Sequence, residues 1–219
     1  MQTLTKQQLN MNVSPSKENI LKKIREALSH STPLPFPQAE KQEIVKGPTQ
    51  ELEIEFAEQF VQLQGKFIYC INRQELAFQF GSLVKKQNWS TLYCNEEKLI
   101  EFLGEPLQER LSKTELAEAD VAVTSCEYLV ARTGSIVLSS ASASGRTASV
   151  YAPIHICIAR MDQIVWDIQD ALKAAKEKYG DKLPSFISFA TGPSRTADIE
   201  KTLVVGVHGP KEVYLFLIE

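Results

Sequence analysis

The stretch HICIARMDQIVWDIQDALKAAKEKYGDKLPSFISFA, His155–Ala190, decides the fold class. HICIA and FISFA are short apolar runs of the kind that form buried strands, and the segment between them has helical periodicity. Asp162 stands where a helix cap belongs, and Ile164, Ile168, Ala171, Leu172 and Ala175 fall on one face. Gly180 ends the helix. The same alternation extends upstream. Leu52, Phe56, Phe60 and Leu63 mark a helix stopped at Gly65, a glycine expected at the C′ position. FIYCI is then a strand, RQELAFQFGSLVKKQ a helix, TLYC a strand and EEKLIEFL a short helix, with VAVTSC and SIVLSS as further strands. Downstream, VYLFLI closes the chain as a strand. Strands that read as continuous apolar runs are buried on both faces. Their alternation with helices indicates an α/β fold with a largely parallel sheet.

The beginning of the chain is organised differently. SPSKENILKKIREAL, Ser14 to Leu28, predicts a helix capped by Ser14, with Pro15 in its first turn and Ile20, Leu21, Ile24 and Leu28 on one face. TPLPFP, Thr32 to Pro37, enforces an extended connector. The expected organisation is an N-terminal helix and Pro-rich connector over 1–37 and an α/β domain over 38–219.

Composition bounds the function. Lys and Arg total 24 against 27 Asp and Glu, a net charge of −3 that argues against a nucleic-acid-binding surface. MQTLTKQQLNMNV lacks the pattern of a secretory signal, and no apolar run approaches the roughly 20 residues that cross a bilayer. No membrane insertion and a cytoplasmic location are therefore expected. Cys70, Cys94, Cys126 and Cys157 are scattered among apolar residues without a CxxC pair. They read as inert thiols, so no metal, iron–sulfur cluster or other cofactor is expected.

Ligands of open parallel sheets bind beyond the carboxyl ends of strands, and three segments qualify. TGPSRTADIEKTL follows FISFA: Gly192 turns the chain, Ser194 and Thr196 offer hydroxyls and caps, and Asp198 with Glu200 would open a helical turn. Backbone N–H groups there, beside Arg195, would suit an anionic small molecule. The same residues also serve as a capped helix in which Arg195 pairs with Asp198 or Glu200. The second segment holds Thr133, Gly134 and Ser135 at the entrance to a strand, where glycine allows close approach or marks a bulge. The third is the small-residue loop SSASASGRTAS, Ser139 to Ser149, which exposes Arg146. His208, in GVHGP, and His155 lie nearby; a histidine at a strand edge often serves as a structural hydrogen-bonder. No GxSxG, HExxH, GxGxxG or GxxxxGK[ST] pattern occurs.

TGPSRTADIEKTLVVGVHGP, Thr191 to Pro210, resembles the signature of the lactate-utilisation protein C family, also called the LUD-domain or YkgG-like family. ARTGSIVL is similar to that family's acidic-Thr-Gly-Thr segment, with Arg132 in place of the acidic residue and Ser135 in place of Thr. YAPIHICIAR is similar to its Leu-Pro-x-x-His stretch. The resemblance implies a three-layer sandwich of the sugar-phosphate isomerase and CoA-transferase superfamily (NagB/RpiA/CoA transferase-like). It also implies a component of an L-lactate oxidation system that works with iron–sulfur subunits. The alternative is a free-standing isomerase- or transferase-like enzyme acting on a sugar phosphate or acyl-CoA, with Asp198 or Glu200 as base.

Overall fold

The computed structural model describes residues 15–29, 47–104, 108, 111–112, 115–196 and 204–219. The chain divides into two compact units, Met1–Lys46 and Gly47–Glu219. The first contains α1 (Pro15–Ser29), whose first residue is the proline, the position where its missing N–H costs nothing. The cap read at Ser14 and the connector 32–37 lie outside the described residues.

In the second unit, six strands among the described residues form one sheet with every neighbouring pair parallel. From edge to edge they are β1 (Lys66–Cys70), β12 (Glu212–Ile218), β7 (Ile154–Arg160), β4 (Val121–Thr124), β2 (Leu92–Tyr93) and β3 (Leu111–Ser112). Side chains alternate across a strand. Ile156 and Ile158 of β7 and Tyr214, Phe216 and Ile218 of β12 therefore meet Leu76, Phe80 and Val84 of α3 (Arg73–Gln87) and Leu99 and Leu103 of α4 (Glu97–Leu103). Cys157, Ala159, Leu215 and Leu217 meet Phe56 and Phe60 of α2 (Leu52–Gln62) on the opposite face. With both faces covered, neither strand has a polar side, which is why both read as unbroken apolar runs.

A smaller sheet shares that second face. Its order is β8 (Ile164–Val165), β5 (Tyr128–Val130), β6 (Ser135–Ser139) and β9 (Ile187–Ala190); β6 runs antiparallel to both neighbours, and β5 pairs parallel with β8. Leu129, Ile136 and Leu138 point at the α2 cluster, while Val130 and Val137 pack on Ala171 of a further helix, α6 (Ile168–Tyr179). HICIA and FISFA thus flank one helix yet belong to different sheets. A short hairpin of β10 (Arg195–Thr196) and β11 (Val204–Val205) and a single helical turn, α5 (Ala148–Tyr151), complete the described elements used below.

Local chemistry shifts two boundaries from the sequence reading. The helix read from Asp162 starts at Ile168, because Ile164–Val165 joins β5 as a strand and Asp167 takes the cap. The Asp167 carboxylate accepts from the Gln169 amide at 3.0 Å, and Asp170 reaches back to the Asp167 amide at 2.9 Å. Asp162 sits instead in the turn Met161–Gln163, paired with Arg160 at 2.7 Å. At the end of α2 the left-handed residue is Gln64, with φ 67°, not Gly65. Gly65 is required for space: a Cβ there would lie 2.4 Å from the Phe60 ring.

Candidate functional site

The order of the parallel strands creates one divergence. After β2 the chain moves outward to the edge strand β3, whereas after β4 it proceeds through the smaller sheet to β7 on the other side. Adjacent strands whose connections part in this way leave a crevice outside their carboxyl ends, the usual ligand position in open α/β sheets. A cavity of about 630 Å³ opens there. Its walls come from the residues following β2, those following β4, the loop 139–145, and the last turn of α6.

Two carboxylates are fixed in this crevice. Glu96 accepts from the Ser125 amide at 3.0 Å, from the Ser125 hydroxyl, and from the hydroxyls of Ser142 at 3.0 Å and Ser144 at 2.6 Å. Glu127 accepts from the Ser139 hydroxyl at 2.6 Å, Lys178 Nζ at 2.7 Å and the Tyr179 hydroxyl at 2.7 Å. Burial pushes the Glu127 carboxyl up, but the hydrogen bonds from Lys178, Ser139 and Tyr179 and the Lys178 charge outweigh it and hold the group below its ordinary range. Glu127 in turn raises Lys178. Serines that spend their proton on a carboxylate keep lone pairs free, so the wall presents acceptors to a ligand's O–H or N–H groups. The small side chains of 139–145 let this loop fold closely over Glu96.

A smaller cavity of about 180 Å³ adjoins the crevice, sharing Leu138 and Ser149 with it. His155, Gly192, Ser194, His208 and Gly209 line it. The Ser194 amide donates to the Pro210 carbonyl at 2.9 Å, and its carbonyl accepts from Gly206 at 3.0 Å. A Cβ on Gly209 would stand 2.9 Å from the Ser194 Cβ, so only glycine lets the two turns approach this closely. His155 Nε2 lies 2.8 Å from the Thr124 hydroxyl, and burial pushes its pKa down to about 4, leaving the ring neutral at pH 7.

The residues singled out in the sequence are distributed as follows. Gly192, Ser194 and His208 come together at the small cavity. Thr133 and Ser135 form a hydroxyl chain with Thr191, with oxygen separations of 2.7 and 2.8 Å, just behind the Gly192 turn. Gly134, with φ 57°, lies under α2: a Cβ would be 2.6 Å from the Phe60 amide nitrogen. Arg195 donates to the Leu63 carbonyl at 2.7 Å, at the end of α2, and Thr196 belongs to the β10–β11 hairpin, not to a helix start. Arg146 donates to Ser185 at 2.7 Å beside the Phe186 ring and is not among the residues that line the two cavities. Asp198 and Glu200 lie outside the described residues. Arg132 pairs with the cap residue Asp167. Glu96, Glu127, Lys178 and Tyr179 escaped the sequence reading. The first two were within reach of it: Glu127 directly follows VAVTSC and Glu96 follows TLYC after one residue, where the carboxyl-end rule also applies.

The fold and crevice define an open α/β protein with a cavity at a topological switch point. More particularly, the chain belongs to the LUD domain family, whose model matches residues 16–218. It is similar to Lactate utilization protein C of Halalkalibacterium halodurans, with 38% identity over 123 residues, covering 53% of this chain and 49% of that protein. Its similarity to Lactate utilization protein C 1 of Bacillus mycoides is 30% over 165 residues, covering 67% of this chain and 70% of that protein. The matched segment spans 49% of the length of the Halalkalibacterium halodurans protein and 43% of that of Lactate utilization protein C of Bacillus licheniformis, about half of each relative. A crystal structure of a DUF162 family protein from Deinococcus radiodurans shares the fold, with a TM-score of 0.59 at 21% identity over 78% of this chain and 100% of that one.

Proposed function

We propose that this protein serves lactate utilisation in the cytoplasm as a component that binds an anionic small molecule and works with iron–sulfur partner subunits. The relatives that carry the name Lactate utilization protein C support the process. The observation that carries the binding role is the 630 Å³ crevice at the carboxyl ends of β2 and β4 together with the cavity adjoining it, which no carboxylate among the described residues lines and which leaves an anion a place away from Glu96 and Glu127. Gly192, Ser194 and His208, at the adjoining cavity, are the sequence-derived ligand contacts, with Thr133 and Ser135 supporting them from behind.

The test is a thermal-shift screen of the purified chain against L-lactate, pyruvate, sugar phosphates and CoA esters, run beside a pull-down for iron–sulfur proteins. A ligand at 100 times its dissociation constant stabilises by about 2.7 kcal/mol. Stabilisation by lactate or pyruvate, or recovery of an iron–sulfur subunit, supports the reading. Stabilisation by sugar phosphates or CoA esters alone, with no partner recovered, overturns it.

A further inference from the structure

The small cavity collects polar groups that the protein itself does not use. Ser149, Ser188 and Ser194 line it, and none of their hydroxyls has a hydrogen-bond partner among the described residues. His155 is 1% exposed and spends Nε2 on Thr124, leaving Nδ1 without a partner among the described residues. Among the described residues no side-chain nitrogen or oxygen is both fully buried and unpartnered. Nδ1 of this buried ring therefore looks onto the cavity that His155 lines. An imidazole sunk in the sheet, with one nitrogen anchored and the other turned to an opening, is a prepared hydrogen-bonding group.

The size and charge of the opening restrict its occupant. At about 180 Å³ it is smaller than the pockets that take drug-sized molecules, so the ligand has few heavy atoms. Among the described residues no Lys or Arg lines it, and an anion driven fully inside would be desolvated without a counter-charge from them. Its mouth is different. His208 and Gly209 also border an adjoining depression that holds Lys211, whose ammonium has no ion-pair partner among the described residues. Lys211 lies across Gly206, where a Cβ would overlap its side chain.

We propose that this recess binds a short 2-hydroxy- or 2-oxocarboxylate, its 2-oxygen hydrogen-bonded inside by His155 and the serine hydroxyls and its carboxylate at the mouth beside His208 and Lys211. The choice of acid rests on the lactate-utilisation reading above. The Thr124 hydroxyl lets one imidazole serve both ligand types. When that hydroxyl donates to Nε2, Nδ1 carries the proton and donates to a keto oxygen; when Nε2 donates to it, Nδ1 accepts from a hydroxyl.

The experiment titrates L-lactate and pyruvate into the full chain with ¹⁵N-labelled histidine, following the ring nitrogens by NMR and the affinity by calorimetry. Saturable shifts of the His155 nitrogens are expected. His155→Gln, which keeps a group at the Nε2 position for Thr124 and removes Nδ1, is expected to weaken binding roughly tenfold. Lys211→Gln, an exposed substitution that leaves the core intact, is expected to weaken it by roughly two- to fivefold, and by less in high salt. If His155→Gln fails to fold, the ring-nitrogen shifts and Lys211→Gln decide. Binding that leaves the His155 signals unmoved and is lost in Lys178→Gln overturns the recess while preserving the lactate reading, because the ligand then sits in the larger crevice. Absence of binding by either acid also overturns the recess; recovery of an iron–sulfur partner would show that the wider reading survives it.

Discussion

Acidification from pH 7 to pH 4 is expected to remove about 3 kcal/mol of stability through His155 alone. The ring is fully buried in β7 and burial pushes its pKa to about 4, whereas the unfolded chain titrates near 6.5. Between these values the unfolded state takes up a proton that the native state refuses, so stability falls as pH falls. A difference of about 2.5 units at 1.36 kcal/mol each gives about 3 kcal/mol, of which about 2 kcal/mol is lost by pH 5. The slope fades about a unit above pH 6.5, where neither state holds the proton, and about a unit below pH 4, where both do. The carboxylates of Asp120, Glu127, Asp167 and Glu212 are all held below their ordinary range, so their contributions disappear only at lower pH. The window from pH 7 to 5 therefore isolates the imidazole. Urea unfolding midpoints of the wild type and His155→Gln across that window provide the assay. The wild type should lose stability steeply and the variant should not; parallel curves would refute a buried neutral histidine.

Other perturbations test the packing and the caps. Gly134→Ala combines a left-handed backbone with a contact against the Phe60 amide nitrogen and should cost about 2 kcal/mol or more, whereas Gly145→Ala, with open space around it, should cost about 1 kcal/mol in denaturant titrations. Phe60→Ala, at 0% exposure between the two sheets, should lose about 3–5 kcal/mol by the same measurement. Asp167→Ala should lower stability by about 1–2 kcal/mol through the lost cap, and Asp162→Ala by less than about 0.5 kcal/mol; the reverse ranking would restore the longer helix. A chain of residues 47–219 should unfold in a single cooperative transition by calorimetry, and a broad non-cooperative melt would make residues 1–46 part of the domain.

Local chemistry made much of this protein legible from sequence. The apolar runs of β7 and β12, the helix Arg73–Gln87 and the glycine at 180 each follow from neighbours a few residues away, and a continuous apolar run already specifies a strand covered on both faces. Cap position was less legible, because Asp162 and Asp167 are equally good caps in isolation. The choice fell to Asp167 only once Ile164–Val165 found a partner strand in β5. Strand order was beyond local reading. Periodicity fixes which side of a strand is apolar and leaves open which strand lies beside it, so it did not separate β9 from β7 into different sheets. The site depends on that order. Glu96 meets Ser125, Ser142 and Ser144, and Glu127 meets Lys178 and Tyr179, across gaps of 29 to 52 residues. Thr124 reaches His155 because β4 pairs with β7. The amino-acid sequence by itself determined the elements and their buried faces through short-range sterics and hydrophobic periodicity. Only the tertiary structure decided the crevice and its recess, because both are made by side chains that the pairing of distant strands brings within hydrogen-bonding reach.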